Sequence, residues 1–324
     1  MYKLIKMHLF FGVLSLWISS VTPMADAQET SSLMAQLSNT NRNAAYRISG
    51  GFFYGADLLK YDGDALYSLY RANTQQFQLS QSCFFDFGTE LGAVIPFTIL
   101  REQSYGDGEW FRQQNVLGRI DVGLTQRMDA QDLGAFSVGI HFLLPTMTRL
   151  REDNPELPKL YKNFTNHLAS ILIIGYLKEI ELAPLFLTSA VSYKVNRSKR
   201  NEGVTIEAGD VATISMGAGV HFFSELSSWA GLKYSRIAPP TISISKIYYS
   251  DFDSEQRSIN VLHLLPGFKL DLSENVSLNA EGQVRLYQSK LKFNNIETLL
   301  ISSIDDQGSL AKAAIQLGFS VRWL

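Results

Sequence analysis

Three things are scarce in this 324-residue sequence, and each scarcity removes a class of explanation. Cysteine occurs once, at Cys83, so the chain has neither an internal disulfide nor a lipid-bearing cysteine beside a leader. Charge of one sign is missing as well. The 29 Lys and Arg nearly balance 31 Asp and Glu for a net charge of −2, and no basic cluster stands out, which excludes the electrostatic footprint of a nucleic-acid-binding protein. Long apolar runs are absent beyond the leader, so no later segment reads as a transmembrane helix. Mean hydropathy is −0.01, which suits a soluble protein but equally a membrane barrel, half of whose strand residues face water.

What is present starts with a leader. Lys3 and Lys6 precede the 13-residue apolar stretch "LFFGVLSLWISSV", and Ala25-Asp26-Ala27 supplies small residues for cleavage before Gln28. Residues 1–27 therefore read as a secretory signal peptide and residues 28–43 as a short periplasmic or plugging segment, with a barrel expected over 44–324.

Twelve strand-like segments follow, at about 44–57, 75–87, 90–103, 113–128, 133–146, 167–180, 184–198, 210–223, 228–243, 257–272, 276–291 and 309–324. Several alternate cleanly. Leu278, Ala280, Val284 and Leu286 oppose Asn279, Glu281, Gln283 and Arg285, while Phe136, Val138, Ile140 and Phe142 oppose Ser137, Gly139 and His141. Residues 168–177, "LASILIIGYL", are apolar on both faces instead. Every second connection is tight ("FGTE", "DAQDLG", "ELAP", "SELSS", "SENV"), and those between are long and polar or mixed. A soluble β-sandwich also alternates. Short turns at one end and long loops at the other, on an even number of strands, instead predict an all-β, closed antiparallel transmembrane barrel of about 12 strands, of the Gram-negative outer-membrane type. The last segment fits: Phe319, Val321 and Trp323 share one face and resemble the terminal aromatic signal read by the barrel assembly machinery, with Leu324 one residue beyond the usual ending.

Three short motifs carry a family resemblance. "ELGAVIPFTIL" at 90–100, with a proline in mid-strand, precedes "VLGRIDVGLTQRM" at 116–128, where Gly118, Asp121, Gly123, Leu124 and Arg127 approximate a recurring strand pattern; "LLPGFKLDL" occupies 264–272. Together they resemble the meta-pathway of phenol degradation family of outer-membrane, transporter-like barrels. The resemblance implies passage of small, aromatic or hydrophobic solutes.

The alternation places Arg119, Asp121, Lys194, Lys233, Lys269, Asp271, Glu281, Arg285, Lys312 and Arg322 on the lumen face, with Asp86 and Glu90 near the turn end. Cations outnumber carboxylates there, which predicts a mild preference for anions. The competing reading is cross-strand charge pairing, for instance between Glu281 and Arg285 on one strand face. His141, His221 and His263 also read as lumen residues, solvated or hydrogen-bonded, with no metal-ligand spacing.

Other features support weaker alternatives. His167, near Asn163 and Asn166, is the one rim candidate for a lipid-modifying enzyme, but no serine motif accompanies it. "DFDSE", with Asp251, Asp253 and Glu255, has oxygen ligands for Ca²⁺ but no glycine-centred loop around them. Trp110, Tyr176, Trp229, Tyr234, Tyr248, Tyr249 and Trp323 read as interfacial girdles. Residues 61–72 and 296–304 are apolar for loops, suited to a gate or to packing on the rim. The whole predicts a passive channel for small solutes, anionic or aromatic and hydrophobic, without enzymatic chemistry, cofactor or metal. Its partners are outer-membrane lipid and lipopolysaccharide, the assembly machinery and the solute. A rim enzyme and a plugged surface-recognition barrel remain the alternatives.

Overall fold

A computed structural model of the chain describes residues 46–56, 69–85, 88–105, 110–130, 133–146, 168–180, 183–201, 204–207, 209–238, 241–244, 258–289 and 312–323. Residues 1–27, read as a leader, residues 28–43, Asp86, His167, the 251–255 acidic stretch, Tyr248, Tyr249 and the 296–304 segment lie outside the described residues. Sixteen strands are described: β1 (Tyr46–Ala56), β2 (Leu69–Phe84), β3 (Thr89–Tyr105), β4 (Trp110–Leu117), β5 (Ile120–Asp129), β6 (Ala135–Leu144), β7 (Ala169–Ile180), β8 (Leu185–Asn196), β9 (Lys199–Asn201), β10 (Val204–Glu207), β11 (Val211–His221), β12 (Leu226–Ile237), β13 (Thr241–Ile244), β14 (Ile259–Ser273), β15 (Val276–Gln288) and β16 (Ala313–Trp323).

The main sheet runs β2-β1-β16-β15-β14-β12-β11-β8-β7-β6-β5-β3-β4, and β2 also pairs with β3, so the sheet closes on itself. β4 and β5 form one stave, giving a closed antiparallel barrel of twelve staves. The closing pair is β1 with β16, in register from Tyr46↔Trp323 to Ala56↔Ala313. Closure leaves no unpaired edge along the wall, the condition a sheet must meet in lipid.

The break between β4 and β5 has a chemical cause. Phe97 pairs with Leu117 and Val94 with Asp121, so three steps along β3 oppose four along the partner stave. This is a bulge, and it sits where Pro96 has no N–H to donate; its carbonyl accepts from the Gly118 amide at 2.9 Å. A Cβ at Gly118 would stand 2.8 Å from Pro96 Cγ, so the close approach favours glycine. Pro266 on β14 likewise lies against Gly282 and the ladder lacks the pairs between Leu264↔Val284 and Gly267↔Glu281, but three steps oppose three there, so no residue is inserted.

Tight turns gather at one end of the barrel, and Gly88 (φ +83°) and Gly134 (φ +98°) supply the left-handed backbone that two of them require. At the loop end some strands extend further than the sequence reading allowed. β2 starts at Leu69, inside the segment read as an apolar loop, because it pairs with β3 as far as Tyr105. The stretch 199–209, read as loop, contains β9 and β10; β10 pairs with β9 on one side and with β13 on the other in a separate three-stranded sheet. β12 ends at Ile237 rather than near 243, just before Pro239-Pro240, which cannot donate to a ladder.

The two faces of the wall differ in chemistry. Leu124, Ile140, Phe142, Leu172, Ile174, Val191, Ile214, Met216, Leu232, Phe268 and Leu286 are all exposed and point outward. A continuous apolar belt of this kind would be an aggregation surface in water and is solvated in a bilayer. Tyr46 and Trp323 stack at the turn end with ring centroids 6.3 Å apart, where an interfacial girdle belongs.

Candidate functional site

Among the described residues the lumen is where the alternation collects polar and charged side chains, and it is uneven around the ring. On β16 the inward residues include Gln316, Ser320 and Arg322, all buried; on β15 they are Ser277, Asn279, Glu281, Gln283 and Arg285. β2 adds Gln76, Gln78, Ser80 and Ser82. β7, six staves from β16 in the ring of twelve, presents Ala169, Ile171, Ile173, Gly175 and Leu177. That row accounts for the doubly apolar "LASILIIGYL": its inner face meets other side chains rather than water. Leu143, Ala169 and Ile171 pack together with Ile173, and Leu177 clusters with Phe186 and Trp229.

Charged residues fall into separate groups. Lys233 of β12 is the cross-strand partner of His263 on β14, which is in turn the partner of Arg285 on β15. Lys233 and His263 are 1% and 0% exposed, whereas Arg285 is half-buried. Glu281 interacts electrostatically with Lys233, so the row of bases is partly offset by a buried carboxylate. Glu281 does not reach Arg285. The two share a face but stand four residues apart, about 13 Å along an extended strand, and the Glu281 carboxylate instead accepts from Trp229 Nε1 at 3.3 Å. The expected bridge within β15 is thus replaced by a bond to β12.

Nearer the turn end, Arg47 and Arg322 are direct partners across the closing seam. Arg47 forms an ion pair with Glu90, donates to Ser82 Oγ at 3.3 Å and lies 5.1 Å from the centre of the Phe84 ring. Lys269 pairs with Asp271 at 2.9 Å. Asp121 meets His141 Nδ1 at 3.0 Å, while His141 Nε2 lies 3.5 Å from Thr125 Oγ1. The His141 ring lies across Gly123, its partner on β5, where any Cβ would collide with it. Arg119, 2% exposed, reaches Asn196 at 3.5 Å, and Lys194 is 2% exposed on the same inner face. Lys312 stands exposed just ahead of β16, outside the packed lumen.

Three further placements complete the site. Trp229, expected in a lipid-facing girdle, is a lumen residue 3% exposed, because it shares parity with Lys233 and Ser235 while Leu232 and Tyr234 point outward. Its ring lies across Gly267 of β14, as Phe186 lies across Gly219 of β11. His221 bonds Ser227 Oγ at 2.7 Å and packs on the Phe186 ring at 4.9 Å. Among the described residues no group of three or more His, Cys, Asp or Glu could hold a metal ion. Gln76 and Thr98, both buried in the lumen, were not singled out from the sequence, since neutral polar residues at lumen parity carry no distinguishing pattern; Phe53, also buried, lies on the Gly-rich first strand, whose inward face the sequence does not declare.

This arrangement, a closed wall with an apolar exterior and a polar interior, defines an outer-membrane β-barrel. No family model matches the sequence, and no curated protein matches it. Among solved structures the chain is similar to an outer-membrane channel of Pseudomonas putida F1, with 10% identity, 86% of this chain and 95% of that chain covered, and a TM-score of 0.63. It is also similar to the beta domain of the Bordetella autotransporter BrkA, with 9% identity, 87% and 100% covered, and a TM-score of 0.50. At such identities the likeness is one of fold.

Proposed function

We propose that the barrel is a passive channel that admits small solutes across the outer membrane and favours anions. The observation that carries this reading is the row Lys233, His263 and Arg285, three basic side chains on adjacent strands of one lumen face. Basic groups along a pore wall lower the barrier to anions and raise it for cations. The fold of the Pseudomonas putida channel supports the general role. Arg119, Asp121, Lys194, Lys269, Glu281 and Arg322 contribute to the same electrostatic wall, and no covalent chemistry is invoked.

A second reading has its own observation. The apolar row of β7, with Leu177, Phe186 and Trp229 clustered at its turn end, offers a slide for hydrophobic or aromatic solutes. This agrees with the resemblance to the meta-pathway of phenol degradation family. The remaining expectations join the proposal. Residues 1–27 direct export, residues 28–43 serve as a periplasmic or plugging segment, Phe319, Val321 and Trp323 engage the assembly machinery, and the outward belt meets lipid and lipopolysaccharide. Conductance of the refolded mature protein in a planar bilayer tests the channel, and the reversal potential in a salt gradient reads its ion preference. Silence from a correctly folded barrel counts against the open channel.

A further inference from the structure

Across the lumen from the row of bases, the inner face of β5 and β6 carries a second arrangement. β5 stands six staves from β14 in the ring of twelve. Asp121, Gly123 and Thr125 of β5 face Leu143, His141 and Gly139 of β6 in register. The two glycines make room for the imidazole. A Cβ at Gly123 would collide with the ring, and one at Gly139 would stand 2.9 Å from Thr125 Oγ1 and 3.3 Å from His141 Nε2. They leave a seat that fixes how the ring is turned.

The partners of the two ring nitrogens let the ring change charge without moving. Nδ1 lies 3.1 Å from Asp121 Oδ1 and 3.0 Å from Oδ2. An ionised carboxylate only accepts, so Nδ1 carries a proton and donates. Nε2 lies 3.5 Å from the Thr125 hydroxyl. A hydroxyl donates to a neutral ring and accepts from a protonated one, so the same rotamer satisfies both states. Water also reaches this group: the His141 side chain is 23% exposed, whereas His263 in the row of bases is fully buried. The charges around the pair come from four strands. Glu90 of β3 is the cross-strand partner of Thr125 and is ion-paired with Arg47 of β1. Arg119 and Arg127 flank the patch along its own stave, and Lys194 of β8 is the partner of Ile171, which is in turn the partner of His141 on β7. The adjacent inward residues of β6 and β7, Gly139, Leu143, Ile171 and Ile173, do not titrate. The ordinary ranges of carboxylate, lysine and arginine lie outside about pH 5 to 8, and that of imidazole lies inside.

We infer that His141 and Asp121 form a proton-operated selectivity element of the pore. With the ring neutral the pair carries one negative charge, and with the ring protonated it carries none. Acid therefore strengthens the preference for anions. The inference rests on the channel reading and adds a regulation to it. Reversal potentials of the refolded barrel in a planar bilayer under a potassium chloride gradient test it, taken from about pH 8 down to about pH 5. The chloride-to-potassium permeability ratio is expected to rise about threefold, the effect of one unit charge about 6 Å from a passing ion in water. His141→Gln is expected to flatten the profile. Asp121→Asn removes the standing negative charge and is expected to raise the ratio already at the alkaline end, which decides the matter where the histidine variant does not fold. Imidazole NMR of the native barrel in detergent micelles follows the proton itself, and a His141 ring that keeps one charge state throughout overturns the inference. So does a conducting barrel whose ratio is flat with pH, or whose profile is the same in His141→Gln; these results leave the channel standing. Silence at every pH overturns the channel and the selectivity role together.

Discussion

β7 and β16 occupy opposite positions in the ring of staves and solve the same packing problem with opposite chemistry. Both turn apolar residues outward, Leu172 and Ile174 on one and Ile315 and Trp323 on the other. Inward, β7 shows Ile171, Ile173 and Leu177, while β16 shows Gln316, Ser320 and Arg322. The outer face is dictated by lipid and is therefore uniform. The inner face is released from that requirement and therefore varies, apolar along β7 and rich in charged and amide side chains from β12 through β16 to β2.

Substitutions can break or sharpen this contrast. The largest effect is expected from Ile174→Lys, which puts a charge into the lipid belt of β7 and should cost about 2–4 kcal/mol near mid-membrane. Ile173→Lys, one residue away on the lumen face, should cost clearly less, and denaturant unfolding in vesicles compares the two. Equal costs would mean that the faces of β7 are misassigned. Next in size is Gly123→Val, which drives a side chain into the His141 ring and should destabilise by about 1–3 kcal/mol as an overpacked contact. Trp229→Phe leaves the buried Glu281 carboxylate without its indole donor, with an expected loss of about 1–3 kcal/mol. The same substitution at a lipid-facing girdle position would be nearly neutral, so this variant checks the inward placement of Trp229. Smallest is Ser320→Ala, which removes the bond to Ser277 beside the seam and should cost about 0.5–1.5 kcal/mol.

The staves were legible because lipid on one side and polar groups on the other impose a period of two, most clearly in β6, β11 and β15. Their long-range register was not. Lys233, His263 and Arg285 each read as lumen residues, but only the pairing of β12, β14 and β15 brings them side by side. The bulge at Gly118 was hidden because Pro96 acts through a missing hydrogen bond on the neighbouring strand. β9, β10 and β13 are three or four residues long, too short for alternation to declare them. Trp229 was misplaced when residue type was allowed to outweigh parity, and the parity of β12 itself carried the right answer.

The measurement that bears most directly on the central claim is the reversal potential of the refolded barrel in a planar bilayer under a salt gradient, repeated for Lys233→Glu combined with Arg285→Glu. The polar arc predicts an anion-favouring potential for the native chain and a shift toward cations in the double variant. A folded native barrel that conducts without preference, or a potential unmoved by the double charge reversal, would contradict it.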